Sequence, residues 1–533
     1  MKTISADQLK EKIISGKEFT LIDVRTKGEF AKAHLLFAVS IPLDKLELVV
    51  DQLIPRLGTP IVFCDDSDGL SEQAADRIIE FGYSNIEILT GGINAWKEAG
   101  CEIFSGINVP SKAFGEFVEH NCSTPHISAN ELKAKIDAGE KLVILDSRPM
   151  SEFNKMNIPG AYCCPGAELV YRVTDASIDS KTLVVVNCAG RTRSIIGCQS
   201  LINAGIPNPV VALKDGTMGW HLAGFDLEKG QSRYAPKVSE TGLKRSKEMS
   251  RDVIKRYGVN LINFSELRSF QNQSEERSLF LLDVRSPEEF ESGHLAGSKS
   301  APGGQLVQAT DEYVGVRNAR LVLIDDTSVR AIMTASWLIQ MGWEEVYVLE
   351  GGLENNNLEK GTEQRRVLGL QKVDPPRLSA EQLNRIINDS SALILDLADS
   401  LEFKEGHLSG AKRVSRSGIA KYLENHNLQS QIILSSPDGA LACLTAEEVQ
   451  KNLNIEVSVL DGGIQAWRNA GYPLEKGDDP DAGELSEDVW YKPYERADAI
   501  EDSMRAYLTW EVGLVEQIER DGTTNFKQFD SVV

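Results

Sequence analysis

Short runs of β-branched and aliphatic residues recur along this chain, each followed by a stretch whose apolar positions have helical spacing. Near the start, Phe19–Val24 reads as a strand, Ile61–Phe63 as another, Ser71–Phe81 as a helix and Ile86–Leu89 as a further strand. Met1–Ile14 alternates charge with apolar residues and reads as an amphipathic helix, without the apolar centre of a signal peptide. Strands alternating with helices at this spacing predict parallel strands joined by helical crossovers, an α/β layer fold.

The succession occurs four times. Leu21-Ile22-Asp23-Val24-Arg25 precedes Glu29-Phe30 and Ala33-His34-Leu35, and Leu145-Asp146-Ser147-Arg148 precedes Glu152-Phe153 and Ile158-Pro159-Gly160-Ala161. Leu281-Leu282-Asp283-Val284-Arg285 precedes Glu289-Phe290 and Gly293-His294-Leu295, and Leu395-Asp396-Leu397 precedes Glu402-Phe403 and Gly406-His407-Leu408. Copies also close alike, with Gly91-Gly92-Ile93-Asn94-Ala95-Trp96, Asp215-Gly216-Thr217-Met218-Gly219-Trp220, Gly351-Gly352-Leu353 and Gly462-Gly463-Ile464-Gln465-Ala466-Trp467. The expected organisation is four modules at 1–104, 126–230, 259–362 and 376–478, each a small, mostly parallel sheet flanked by helices. Charged helical arms follow at 231–258 and 479–533. Each module is long enough to carry its own core. The order copy, copy, arm, repeated once, leads us to expect each arm to clasp the pair before it. The recurring Asp and Arg, and His34, His294 and His407 (Asn157 in the second copy), read as turn and core residues, because they recur where no cysteine follows.

Composition narrows the function. The 533 residues carry 57 basic and 79 acidic side chains, a formal net charge of −22, which argues against nucleic acid or an anionic membrane as partner. No apolar run is long enough to span a bilayer. The eight cysteines, including the vicinal Cys163 and Cys164, form no disulfide framework and suggest a reducing, cytoplasmic setting. His120, Cys122 and His126 lack a fourth ligand, so no metal is expected. The first arm, Lys237 to Arg256, holds seven basic residues against three acidic ones, read as a solvated face, with a role in docking an acidic acceptor as the alternative.

The chemistry concentrates in the second copy. Leu183-Val184-Val185-Val186-Asn187 stops at Cys188, and Ala189-Gly190-Arg191-Thr192-Arg193-Ser194 leads into a helix. A helix N-terminus, loop N–H groups and two guanidinium groups would each favour a thiolate at Cys188. The first copy has Cys64 followed by Asp65, Asp66 and Asp68, whose charge would raise a thiol. The third has Asp325 and the fourth Ser435-Ser436 where a thiol should stand; Cys443 falls in the next helix and reads as core. Glu168, Arg172 and His221 are lesser candidates near the loop, while Trp220 and Cys198 read as packing residues.

The opening Asp-x-Arg motif, the Cys-x-Gly-Arg-Thr-Arg-Ser loop and the glycine-rich ending together resemble the rhodanese (thiosulfate sulfurtransferase) family, in its bacterial form with four tandem modules. The resemblance implies an enzyme in which Cys188 takes sulfur from thiosulfate as a persulfide and passes it to cyanide or a thiol. It implies a substrate-binding loop of Ala189, Gly190, Arg191, Thr192, Arg193 and Ser194, no cofactor, and inactive modules one, three and four. Phosphatases and arsenate reductases share this fold with five residues between cysteine and arginine; Cys188 and Arg193 enclose four. A scaffold or sulfur-binding protein is the further alternative. A homo-oligomer is left open by the sequence.

Overall fold

The computed structural model describes residues 1–529 apart from 178, 355–357, 389–391, 426–430, 478–487 and 497. Residues 479–487, 497 and 530–533 of the expected C-terminal arm therefore lie outside the described residues.

Each module holds one five-stranded, wholly parallel sheet, and the strand order is the same in all four. In the second module the strands are β1 (His126–Ile127), β2 (Leu142–Asp146), β3 (Tyr162–Cys163), β4 (Leu183–Asn187) and β5 (Val210–Leu213), arranged β1-β5-β4-β2-β3. The central β4 is Leu-Val-Val-Val-Asn, nearly all buried, as a strand covered on both faces requires. Its register sets Val185 beside Ile144 and Asn187 beside Asp146. The chain start differs from expectation. Lys2–Ile4 is an edge strand paired with Ile86–Leu89, and the helix spans only Ala6–Ile14. Ser5 explains the break: its side chain caps the Gln8 N–H and Gln8 caps Ser5 in return, a capping box that fixes the helix start.

The recurring Asp and Arg hold the turn after the second strand of their modules. Asp146 accepts from Arg148 Nε at 2.8 Å and Nη2 at 2.7 Å, and Nη2 also reaches the Met156 carbonyl at 2.8 Å. Both side chains are fully buried, so removing either would strand a charge at a cost of about 3–5 kcal/mol. The same fork joins Asp23 to Arg25 and Asp283 to Arg285. His34, His294 and His407 are buried and stack on Phe30, Phe290 and Phe403 with ring centroids 3.7–4.0 Å apart. Asn157 instead donates to the Phe153 carbonyl at 3.1 Å.

Seven helices position the site: α1 (Val109–Cys122), α2 (Glu168–Ala176), α3 (Thr192–Asn203), α4 (Gly216–Leu222), α5 (Glu240–Tyr257), α6 (Val329–Gln340) and α7 (Ile500–Asp521). The modules do not pair in chain order. The second faces the third: Trp337 Nε1 on α6 donates to Ser200 Oγ on α3 at 2.7 Å, and Arg330 donates to Glu168 at 2.7 Å. The first packs on the third, where the Ser278 N–H reaches Glu18 at 3.1 Å and the Gly315 N–H reaches the Leu53 carbonyl at 3.1 Å, and on the fourth, where Arg416 forks onto Glu47 with both bonds 2.9 Å and Ser417 N–H reaches Asp44 at 3.1 Å. Neither arm clasps the pair before it in the chain. The first arm, α5, lies on α2 and α6, between modules two and three. It buries Met249, Val253 and Tyr257 while Lys244, Arg245, Lys247, Arg251 and Lys255 face solvent. The second arm, α7, lies along α1, the helix between modules one and two. No helix among the described residues is long and apolar enough to cross a membrane.

Candidate active site

The loop 188–191 leaves the carboxyl end of β4 and enters α3, where open α/β sheets hold their ligands. Its carbonyls are tied down on one side. Cys188 O accepts from the Thr217 N–H at 2.8 Å and Thr217 Oγ1 at 3.0 Å, and Ala189 O accepts from the Met218 N–H at 2.9 Å. A trans peptide sets N–H opposite to C=O, so the N–H groups of Ala189 and Gly190 point away from α4. The glycine-rich ending makes this clamp possible. Gly216 has φ +56°, and a Cβ there would strike the Cys188 carbonyl and stand 2.6 Å from Gly190 O. Gly92 and Gly463 press on the loops of their own modules in the same way. Gly216→Ala is therefore expected to push the loop off α4 and lower the transfer rate by at least ~10-fold. Gly224→Ala, also at positive φ but facing open space, is the control and should leave the rate unchanged. Steady-state rates of the two variants check this.

Cys188 is 2% exposed. Its thiol lies 3.6 Å from Ser194 Oγ, whose own hydrogen goes to the Arg191 carbonyl at 2.7 Å. Burial pushes the thiol above its ordinary value; the Arg193 charge and the Ser194 contact pull it down, and Glu511 pushes it up. Arg193 is held against Glu152 by bonds of 3.1 and 2.8 Å, and its Nη1 also donates to Gln305 of the third module at 3.0 Å. This pairing holds the Glu152 carboxyl down at about 2 against the effect of burial.

Arg191 is placed differently from the sequence expectation. Its guanidinium forks onto Glu116 of α1 at 2.7 and 2.8 Å, also meets Glu119, and reaches Asp215 at 3.2 Å. Three carboxylates hold it, and it anchors the loop to α1. Of the two loop arginines, Arg193 is the one whose charge acts on the thiol. Thr192 Oγ1 donates to Glu511 Oε1 at 3.3 Å, and its side chain packs where a Cβ on Gly115 would stand.

Strand register identifies the positions equivalent to Cys188. Asn187 pairs with Asp146 as Cys64 pairs with Asp23, Ile324 with Asp283 and Ser435 with Asp396. The next residue in each module is Cys188, Asp65, Asp325 or Ser436. Cys64 thus stands one place early, at the end of a strand, fully buried, and burial raises its thiol well above the ordinary value. Asp65 stands as far before Ser71 as Cys188 stands before Ser194, so the two loops match in length and the first module's cysteine belongs to the sheet. Arg330 falls at the position of Arg193, but it is locked between Asp325, Asp326, Glu289 and Glu168.

The lesser candidates do not join the site. Glu168 bonds Arg172 at 2.6 Å and Arg330, at the junction with module three. Trp220 is buried and its Nε1 donates to Asp226 O at 2.9 Å, while Cys198 is buried and its thiol is pushed up. The sequence reading missed α1, which lies between the expected modules, and did not bring α7, the helix of the second arm, to the site. From α7, Tyr507, Leu508 and Glu511 reach the loop, more than three hundred residues along the chain.

A parallel sheet of this order with a cysteine loop at the end of its central strand defines a class. Four segments, residues 5–99, 128–223, 265–357 and 379–470, match the model of the rhodanese-like domain, and the chain belongs to that family. Over its length it is similar to the thiosulfate sulfurtransferase of Pseudomonas aeruginosa, with 43% identity, a TM-score of 0.93 and coverage of 99% of this chain and 100% of that one. Single-module relatives include the thiosulfate sulfurtransferase GlpE of Pseudomonas putida (strain GB-1), 27% identical over 104 residues, which are 19% of this chain and 89% of that protein. A sulfurtransferase of Allochromatium vinosum is 27% identical over 100 residues, 19% of this chain and 92% of its own.

Proposed function

We propose that this protein is a sulfurtransferase that moves a sulfane sulfur from thiosulfate, or a donor of the same chemistry, to cyanide or a thiol through a persulfide on Cys188. The observation that carries this reading is the register: of four equivalent loop positions, Cys188 alone bears a thiol. The Cys188 thiolate attacks the outer sulfur of thiosulfate. The S–S bond of the donor breaks, sulfite leaves with the electron pair, and Cys188 keeps the sulfur as a persulfide. The acceptor then attacks the terminal sulfur and Cys188 leaves as thiolate. Thiolate and dianion repel, and Arg193 with the loop N–H groups offsets that repulsion. Modules one, three and four act as supports; the third supplies Gln305 to Arg193. The eight free thiols fit a reducing, cytoplasmic setting. Incubation with thiosulfate and cyanide tests the reading. Thiocyanate and sulfite in equal amounts are expected, and their absence would contradict it.

A further inference from the structure

The second arm places a carboxyl over the active loop. Glu511, on α7, is 2% exposed. Its Oε1 accepts from Thr192 Oγ1 at 3.3 Å and from Tyr507 OH at 3.1 Å. Its Oε2 accepts no hydrogen bond and lies 3.1 Å from where a Cβ on Gly190 would stand. One oxygen is enough to fasten α7 to the loop, and a neutral amide or hydroxyl would do so without burying a charge. An idle, buried carboxylate oxygen is costly unless it has another use. Stabilising the thiolate is not that use, since a carboxylate here pushes the Cys188 thiol up.

We propose that Glu511 is the acid–base residue of the acceptor half-reaction, taking the proton from an incoming neutral thiol and returning it to Cys188. The proposal rests on the sulfurtransferase reading and names the acceptor class. The thiol R–SH gives its proton to Glu511 Oε2. The resulting R–S⁻ attacks the terminal sulfur of the Cys188 persulfide (Cys–S–SH). The S–S bond between Cys188 Sγ and that sulfur breaks, R–S–SH departs, and the electron pair stays on Cys188 Sγ as thiolate. Glu511 then reprotonates it, and both groups return to their starting state. Beside Glu511, Met218, Met504 and Leu508 make an apolar wall suited to an uncharged thiol.

The surroundings fit proton exchange near neutrality. Burial holds the Glu511 carboxyl up at about 7; Lys112 opposes this, Glu116 adds to it, and Tyr507 and Arg191 oppose it. Lys112, itself brought down to about 8 by burial, lies on α1 between the rings of Trp490, Tyr507 and Trp510. On the loop side the Cys188 thiol feels both Glu511 and Arg193.

The test separates the two half-reactions, using the full chain with dithiothreitol as the neutral thiol. Glu511→Gln is expected to load sulfur from thiosulfate at least as fast as wild type, because the charge that pushes the Cys188 thiol up is gone, but to discharge it about 10²-fold more slowly at pH 7. The defect should vanish at pH 10, where much of the dithiothreitol is already thiolate. A merely structural role predicts loss at both pH values. Discharge at the wild-type rate at pH 7, or an equal loss at pH 10, overturns the proposal. Wild-type protein gives a second reading: between about pH 7.5 and 8.5, where Glu511 is ionised and dithiothreitol is still mostly neutral, discharge should follow total thiol and stay nearly flat, and strict proportionality to thiolate across that range overturns the proposal. Failure of wild-type Cys188 to load at all would instead remove the sulfurtransferase reading, and this one with it.

Discussion

Cys188→Ser is expected to abolish sulfur transfer, a fall of at least ~10⁴-fold in the thiocyanate assay. A hydroxyl in the same place is a far weaker nucleophile and cannot carry the persulfide. The loop itself should survive. Its clamps are backbone bonds from Thr217 and Met218 to the carbonyls of residues 188 and 189, and these do not involve the thiol. The informative partner is Cys64→Ser. Cys64 lies one register place early, inside a strand, with a thiol raised well above its ordinary value. Its replacement should leave transfer unchanged. A wild-type rate in Cys188→Ser, or a matching loss in Cys64→Ser, would show that the register argument picks the wrong thiol.

Arg193→Ala should give the second-largest loss, about 10²–10³-fold in the loading step, the scale of removing one preorganised charge partner. The guanidinium is the nearby charge that draws the buried thiol downward. Without it the thiol rises further, so the loading rate should reach its plateau only at more alkaline pH. Arg193→Lys should recover part of the rate, because the charge returns without the fork to Glu152. The pair also has an acid signature. Glu152 sits near 2 when folded, below its ordinary value. Its contribution to stability is therefore complete above the ordinary carboxyl range and is lost as pH falls toward 2. Acid denaturation of Arg193→Ala should lack that contribution. Gln305→Ala, in the third module, should cause a smaller loss of the same kind, since it removes one neutral bond to Nη1.

Much of this was legible in the chain. β-branched runs, the Asp-x-Arg turn and the glycine-rich ending each have a local physical cause, and each appears in the fold where the sequence puts it. Gly216 shows how closely: its motif is there because no side chain fits between it and the loop carbonyls. What was not legible depends on register and on distant partners. Cys64 looks equivalent to Cys188 until Asp23 and Asp146 align the strands. Arg191 and Arg193 are alike in sequence, and only Glu116 and Glu119 on the intervening helix α1 and Glu152 show that one anchors the loop to α1 while the other is held where its charge acts on the thiol. The spacing of those two acids on one helix face was visible, but nothing local pointed them at Arg191. Glu511 had no local signal, since its burial comes from α7 crossing the loop. The packing of the modules on one another was hidden too, because Arg330–Glu168 and Arg416–Glu47 join residues far apart in the chain.

The most direct test of the central claim is intact-mass measurement of the protein after thiosulfate, followed by peptide mapping under non-reducing conditions. One added sulfur, about 32 Da, is expected on Cys188 alone, and it should disappear when dithiothreitol is added. An adduct on Cys64 or another thiol, or no adduct at all, would contradict the account.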